Sequence, residues 1–275
     1  MRQVALKLLL PLEERMRFDI LTLFPEMFAP FLESGVTRRA YASGQVTVHL
    51  WNPRDFAQGN YRRVDDRPFG GGPGMVMMPE PMQQCLNAVR DARAQAVPEE
   101  DRQTVPVVLF SPIGTTWKHG VASGWSEAGQ GGILLCGRYE GIDQRFIDAN
   151  VTHQISLGDF VLSGGELAAM VLLDSIARLQ PGVLNDEGSF QQDSFNPALD
   201  GLLDCPHYTR PEVWDGKEVP APLMSGHHAQ IERWRRDERL RITAQHRPEL
   251  IVQARSQGLL NAKDEAYLAK ISAKL

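Results

Sequence analysis

The 275-residue chain holds three cysteines, Cys85, Cys136 and Cys205. They are too few and too scattered for a disulfide framework, and no C-x-x-C pair occurs, so a reducing cytoplasm is the expected compartment. No run of about 18 apolar residues appears, so no membrane span and no membrane partner are expected. The histidines are scattered, and adjacent His227 and His228 cannot share a helix face, so no metal site is expected. Three catalytic signatures are missing. There is no G-x-x-x-x-G-K-[ST] phosphate loop, no G-x-G-x-x-G after the first strand-like run and no G-x-S-x-G elbow. These absences exclude a Walker-type nucleotide site, a dinucleotide fold and a nucleophile-elbow hydrolase. Internal repeats and low-complexity tracts are absent too.

What is present fits a folded protein with a sizeable core: 43% hydrophobic and 23% charged residues. The net charge of -5 argues, taken alone, against a nucleic-acid partner. The charge is unevenly spread, however. Arginine doublets occur at Arg38–Arg39 and Arg62–Arg63, with Arg67 close behind, and residues 227–247 hold six arginines. Two readings stand side by side: local grips for phosphate, or solvated faces of amphipathic helices. The opening "MRQVALKLLLPLEER" has a short apolar run broken by Lys7 and no small-residue cleavage site, unlike a secretory signal. Patterned sequence starts at Met16, so residues 1–15 are expected to be a disordered N-terminal extension.

Apolar runs predict strands over residues 17–24, 46–51, 105–110, 131–137 and 152–158. Helical patterns lie between them, over 79–95, 119–128, 142–149 and 165–179. The last is apolar almost all round and reads as a buried helix. Strand–helix alternation predicts an α/β unit with a mainly parallel sheet. After Leu179 the chain turns rich in glycine, proline, asparagine and aspartate, as a linker or long functional loop does. Charged helices follow near 225–246, 248–257 and 262–275.

Glycine-bearing turns end three strand runs: "SPIGTTW", "GRYEGIDQR" and "SLGDFVLSGGE". Open α/β sheets bind ligands beyond the carboxyl ends of their strands. Three such loops make a shared site, or the glycines only make turns. A ligand held mostly by backbone groups is itself apolar and hydrogen-bonding, which fits adenosine. A fourth stretch, "DRPFGGGPGM", places four glycines in five positions. Ordering them costs about 2–4 kcal/mol relative to alanine, so a gain is expected there.

Together "NYRRVDDRPFGGGPGMVM", "LCGRYEGIDQR", "SLGDFVLSGGELAAM", "DSF" and "GLLDCPHYTRPEVW" resemble the bacterial tRNA (guanine-N1)-methyltransferase family, which acts at tRNA position 37 beside the anticodon. The resemblance runs from Met16 to about Leu250. It implies an α/β SPOUT-type fold, in which a trefoil-knotted catalytic domain with a mainly parallel sheet is joined to a small helical C-terminal domain. In these terms residues 1–15 are the extension, 16–182 the knotted cofactor domain, 183–200 the linker and active-site loop, and 201–275 the helical tRNA-binding domain. Periodicity alone would not have proposed a knot. The family is homodimeric and cytoplasmic, with sites shared between subunits, and uses S-adenosylmethionine. Mg2+ is a further candidate, for which no dedicated protein site is expected.

Carried over by motif, the cofactor loops are Gly137 and the run Leu157, Gly158, Asp159, Phe160, Val161 and Leu162. Ser111, Pro112, Tyr139, Gly164 and Gly165 are expected close by, with Glu140 near the methionine end. Asp193 of "DSF" corresponds to the proposed base and Arg178 to the catalytic arginine. Asp204, His207 and Arg210 of "DCPHYTR" are expected at the RNA. Arg62, Arg63, Arg67 and Gly71 are expected to wall the guanine entrance, with Gly71 letting backbone approach the nucleotide. Arg233, Arg235, Arg236 and Arg239, on one basic helix, are expected on tRNA phosphates. The chemistry follows from guanine itself, whose N1 carries a proton. A carboxylate removes it, and an arginine at O6 stabilises the charge that results.

Other readings of the same residues stand beside these. Asp193 and Asp204 suit turns or caps, and Arg178 lies four residues after Asp174, the spacing of a helical ion pair. "DSFNPALDGLLD" is a few residues longer than the family spacing, and the last 25 residues match weakly. The alternative functions are a knotted methyltransferase acting on ribose 2′-oxygen or rRNA, a non-catalytic RNA-binding factor, and a nucleotide-binding module.

Overall fold

The computed structural model describes residues 16–96, 105–129, 131–185 and 188–272; the expected extension, residues 1–15, lies outside them. The chain divides into two compact units, Met1–Leu184 and Asn185–Leu275. The first runs β1 (Arg17–Leu21), α1 (Phe28–Glu33), α2 (Arg38–Ala42), β2 (Thr47–Trp51), β3 (Asp65–Asp66), β4 (Val76–Met77) and α3 (Pro79–Ala96). It continues with β5 (Val107–Thr116), α4 (His119–Ala128), β6 (Gly132–Leu135), α5 (Gln144–Asn150), β7 (His153–Ser156) and α6 (Glu166–Ala177). Five strands lie in the order β2-β1-β6-β5-β7, every pair parallel.

The central strands β1, β5 and β6 were legible as apolar runs because helices cover both faces of the sheet, whereas β2, at its edge, reads as an alternating strand. Phe18, Ile20, Val108 and Leu134 point to one face and pack with Ala169, Leu172, Leu173 and Ile176 of α6. Their neighbours Leu21, Val107, Leu109, Ile133 and Leu135 point to the other, against Met82, Leu86 and Val89 of α3 and Phe146 of α5. One charge sits inside this layer. Asp19, fully buried in β1, accepts from Arg17 Nε (3.0 Å), Arg93 Nε (2.6 Å) and Trp51 Nε1 (2.8 Å). The carboxylate is thereby paired and hydrogen-bonded, the condition for burying a charge.

Two expectations change. The turn read in "SPIGTTW" lies inside β5. Both Phe110 and Thr115 register with Ile155 of β7, so residues 111–114 loop out as a bulge and the strand resumes. Proline and glycine mark the bulge, not the strand's end. Second, α6 is not buried all round, since Leu167 and Val171 are exposed.

In the second unit α7 (Gly188–Gln191) precedes a hairpin of β8 (Val213–Trp214) and β9 (Lys217–Glu218). Then come α8 (Ala221–Met224), α9 (His228–His246), α10 (Pro248–Ser256) and α11 (Ala262–Ser272). Positive φ at Asp215 and Gly216 makes the hairpin turn. Pro248 starts α10, and the Asn261 side chain caps α11 by accepting from the Lys263 and Asp264 N–H groups. Leu202, Leu240, Ile251, Ala254 and Leu268 form its core. Residues 193–204 are therefore part of this unit rather than a bare connector. Phe195 N–H bonds Leu202 C=O at 2.9 Å, and the buried Asn196 donates from Nδ2 to Phe190 C=O at 2.9 Å.

Candidate active site

Strands β6, β5 and β7 are adjacent and parallel, so their carboxyl ends open on one edge of the sheet. Gly137 and Tyr139 follow β6, Ser111 and Pro112 form the β5 bulge, and Leu157 to Leu162 follow β7. The sheet thus brings together the loops that the sequence singled out for a cofactor. The bulge is pressed onto β7: a Cβ on Gly114 would lie 2.4 Å from Ile155 N. Tyr139 holds φ +60° and Gly158 φ +142°, left-handed conformations that turn the backbone sharply.

A close crossing fixes two of these loops to each other. Gly165 N–H bonds Gly137 C=O at 3.0 Å, and Arg138 forms a bridge with Gly164. A Cβ on Gly165 would lie 2.7 Å from Cys136 Cα, and one on Gly164 2.2 Å from Arg138 Nε. Only glycine permits this approach. Beneath it Arg138 meets the fully buried Glu166 at 2.9 Å, donates to Ser163 C=O at 3.2 Å and lies over the Phe24 ring. Thr22 Oγ1 donates to the other Glu166 oxygen at 2.8 Å. Cys136 is entombed here, and burial pushes its thiol well up. At Cys85 burial pushes the thiol up to about 12. Neither is a nucleophile at neutral pH.

These loops carry the equipment for a mixed ligand. The backbone N–H groups of Asp159, Val161 and Leu162 find no acceptor among the described residues. Phe160, Val161, Tyr139 and Ile113 leave apolar surface exposed at the same edge. Unspent donors beside apolar side chains fit a hydrogen-bonding heterocycle with little charge.

The glycine-rich loop docks on the same region through one glycine. Met75 C=O accepts from Glu140 N–H at 2.9 Å, and Met77 N–H donates to Gly141 C=O at 2.8 Å. A Cβ on Gly74 would lie 2.3 Å from Glu140 Oε1. By contrast Gly70, Gly71 and Gly72 have open space where a Cβ would point, and φ between +78° and +116°. Their left-handed backbone, rather than close packing against the protein, is what calls for glycine at these positions. Arg62 pairs with Asp55 at 2.7 Å and Arg63 with Asp66 at 2.9 Å, all four exposed; Arg67 is exposed as well.

Arg178 ends α6 in the first unit, its N–H on Asp174 C=O at 3.1 Å. Asp193 belongs to the second, half-buried, with its N–H on Phe190 C=O at 3.3 Å. Asp204 gathers several partners. Its Oδ1 accepts from Cys205 N–H (2.7 Å) and Arg239 Nε (3.3 Å), and His207 Nε2 lies 2.8 Å from Oδ2. Burial raises its pKa, but these hydrogen bonds and the Arg239 charge outweigh it, and the carboxyl sits below its ordinary value. Arg210 is exposed.

Arg233 and Arg236, expected on tRNA phosphates, have carboxylate partners within this unit. Arg233 pairs with Asp237 and, at 3.1 Å, with fully buried Asp264; Arg236 pairs with Asp264 at 3.0 Å and Asp200 at 2.7 Å. Their guanidiniums hold the helices of this unit together. Sequence reading missed Arg138, Glu166, Ser194 and Asp264. Glu166 sits in "SGGELAAM", where an acid among apolar residues at a helix start was the available signal.

The model of the family described as tRNA (Guanine-1)-methyltransferase TrmD matches residues 16–253. The chain belongs to this family. It is 68% identical over 260 residues to a tRNA (guanine-N(1)-)-methyltransferase of Paracidovorax citrulli, covering 94% of this chain and all of that protein. Proteins of the same name from Polaromonas sp. and Bordetella pertussis are 66% and 57% identical, covering 93% and 94% of this chain and 97% and 98% of their own lengths. No described helix is long and apolar enough to cross a membrane, and no described cluster of histidine, cysteine and carboxylates could hold a metal ion.

Proposed function

We propose that this protein transfers the methyl group of S-adenosylmethionine to N1 of guanosine at tRNA position 37. One observation carries the reading: a relative 68% identical along its whole length bears the tRNA (guanine-N(1)-)-methyltransferase name. The edge of unspent backbone donors and apolar side chains after β5, β6 and β7 supports it. In this reading Gly137, Tyr139 and Leu157 to Leu162 hold the adenosine, and Glu140 faces the methionine end. The bound sulfonium supplies an already activated methyl group. Asp193 takes the N1 proton, and a carboxylate alone is a weak base for an amide-like nitrogen. Arg178 therefore donates to O6, where the charge develops, and lowers the barrier from the other side. Alignment of the two reactants adds further acceleration.

The exposed Leu167 and Val171 on an otherwise apolar α6 support a homodimer in which a second copy covers them. The close crossing at Gly165 is in keeping with a trefoil-knotted chain. The second unit, with the loop of Asp193, is read as the tRNA-holding domain of a cytoplasmic enzyme. The test is methyl transfer from labelled cofactor to unmodified tRNA carrying guanosine at position 37, with nucleoside mapping. The expected product is 1-methylguanosine. Asp193→Ala is expected to lose at least about a hundredfold in rate while still binding S-adenosylhomocysteine. A ribose-methylated product, or full activity of the variant, overturns the reading.

A further inference from the structure

We propose that Ser194 and Asp204 are positioning residues that tether the loop of Asp193 to helix α9. The inference rests on the reading of Asp193 as the base and adds how that base is held. Three links make the tether. The returning limb of the loop is bolted to α9: Leu203 N–H donates to the Oγ1 of fully buried Thr243 at 3.0 Å, and Arg239 Nε reaches the Asp204 carboxylate at 3.3 Å. Arg239 is itself only 9% exposed, so this anchor does not swing with solvent. The outgoing limb is then tied to the returning one, because Asp204 N–H donates to Ser194 Oγ at 2.9 Å. Phe195 N–H on Leu202 C=O completes the pairing.

Ser194 is the neighbour of Asp193, so its hydrogen bond sets where the Asp193 backbone sits relative to a rigid helix. The loop's own composition does not supply that rigidity. Residues 193–204 contain proline, glycine and asparagine and form only a three-residue helical turn, Pro197–Leu199. A general base must stand within hydrogen-bond reach of the proton it takes, and displacement by about 1 Å costs up to about a hundredfold. The tether is a device for that precision. It works through Asp193.

The test uses the full chain. Ser194→Ala removes the acceptor of Asp204 N–H without changing the fold's core, and Ser194→Thr keeps a hydroxyl. Single-turnover methyl transfer is measured together with amide hydrogen exchange over residues 190–204. Ser194→Ala is expected to lower the rate about ten- to a hundredfold, with KM for tRNA and for the cofactor within about twofold. Exchange in the loop should rise while exchange in the first unit stays unchanged. Ser194→Thr should restore the rate to within about threefold. A wild-type rate and wild-type exchange in Ser194→Ala overturn the tether, as does a rate loss that appears only as a raised KM. Asp193→Asn, run alongside, separates the two ideas. If it is inactive while Ser194→Ala is indifferent, the tether alone falls. If it is fully active, the base assignment falls, and the loop exchange still reports on the tether itself.

Discussion

Arg138 of the first unit and the pair Arg233 and Arg236 of the second use buried carboxylates in opposite ways, while Arg17 and Arg93 on Asp19 show that the shared-carboxylate arrangement occurs in the first unit too. In the first case, a single guanidinium, Arg138, is 17% exposed and lies under a crossing that only glycines allow. In the second, Arg233 and Arg236 are 34% and 19% exposed and share one buried carboxylate, Asp264. The first arrangement shapes a backbone cradle, the second clamps helices. A residue type that is conspicuous in sequence therefore says little until its partner is known. At Arg138 the partner lies beneath the close crossing at Gly165, whereas at Arg233 and Arg236 it ties α9 to α11.

The sharpest way to test this contrast is to crowd the crossing. Gly165→Val places a side chain against Cys136 backbone, which no rotamer change relieves. The expected loss exceeds about 3 kcal/mol, read as loss of soluble folded protein and of S-adenosylhomocysteine binding. Gly71→Val meets open space and suffers only left-handed strain, about 1–2 kcal/mol. It should unfold a few degrees lower and still bind the cofactor. Equal damage from both would remove the distinction between a packing glycine and a shape glycine.

Next in size is the buried pair itself. Arg138→Met strands the Glu166 carboxylate and is expected to cost about 3–5 kcal/mol in urea unfolding. The double variant Arg138→Met/Glu166→Leu should recover most of it, since no charge is then left buried. Failure to recover would mean that Arg138 supplies packing over Phe24 and the Ser163 contact rather than charge.

How much of this was legible beforehand follows from the same contrast. Buried central strands announce themselves as apolar runs, and all five strands of the sheet were found, although β5 continues to Thr116, past its expected end at Phe110. The loops proposed for the cofactor drew notice because glycines cluster where strands end. The bulge at 111–114 was not, because proline and glycine look alike at a strand's end and in a strand's interruption. The exposed face of α6 was not legible either: an all-round apolar helix reads the same whether its own chain or a second copy covers it. The fate of Arg233 and Arg236 was hidden for a third reason. Asp264 lies 31 and 28 residues away, beyond any helical spacing rule. Asp193 and Arg178 are proposed by resemblance alone, since an aspartate in a polar loop carries no signal of its own.

A smaller effect is expected at Asp264. Burial raises its pKa, but the hydrogen bonds from Arg236, the Asn261 region and Arg233 outweigh this, and the carboxyl sits below 3.8. A depressed folded pKa means stability that is present above pH 3.8 and is lost as the pH falls through the folded value. Asp264→Asn should therefore cost about 2 kcal/mol at pH 7, and the difference from the parent should shrink towards pH 3. The cost is below that at Arg138 because the asparagine amide oxygen can still accept a hydrogen bond from the guanidiniums. Fluorescence of Trp234, on α9, gives a local readout of this unit. A gap that widened in acid would contradict the assignment.

The smallest effect concerns tRNA affinity and bears directly on which arginines grip phosphate. Arg62 and Arg63 pair only with exposed carboxylates, ion pairs worth about 0–1 kcal/mol. A phosphate can replace such a partner at little cost. Arg233 and Arg236 would have to abandon buried Asp264, which leaves an uncompensated charge behind. The double variant Arg62→Gln/Arg63→Gln is therefore expected to weaken tRNA binding a few-fold. It should also flatten the dependence of log K on log salt by about 1–2. Arg233→Gln/Arg236→Gln should lower the unfolding temperature and leave that slope unchanged. Titrations between 50 and 300 mM salt decide the matter, because counterion release counts only the cations that phosphate actually displaces. A slope that falls with the helix variants instead would return those arginines to the RNA and make their pairing with Asp264 a resting state.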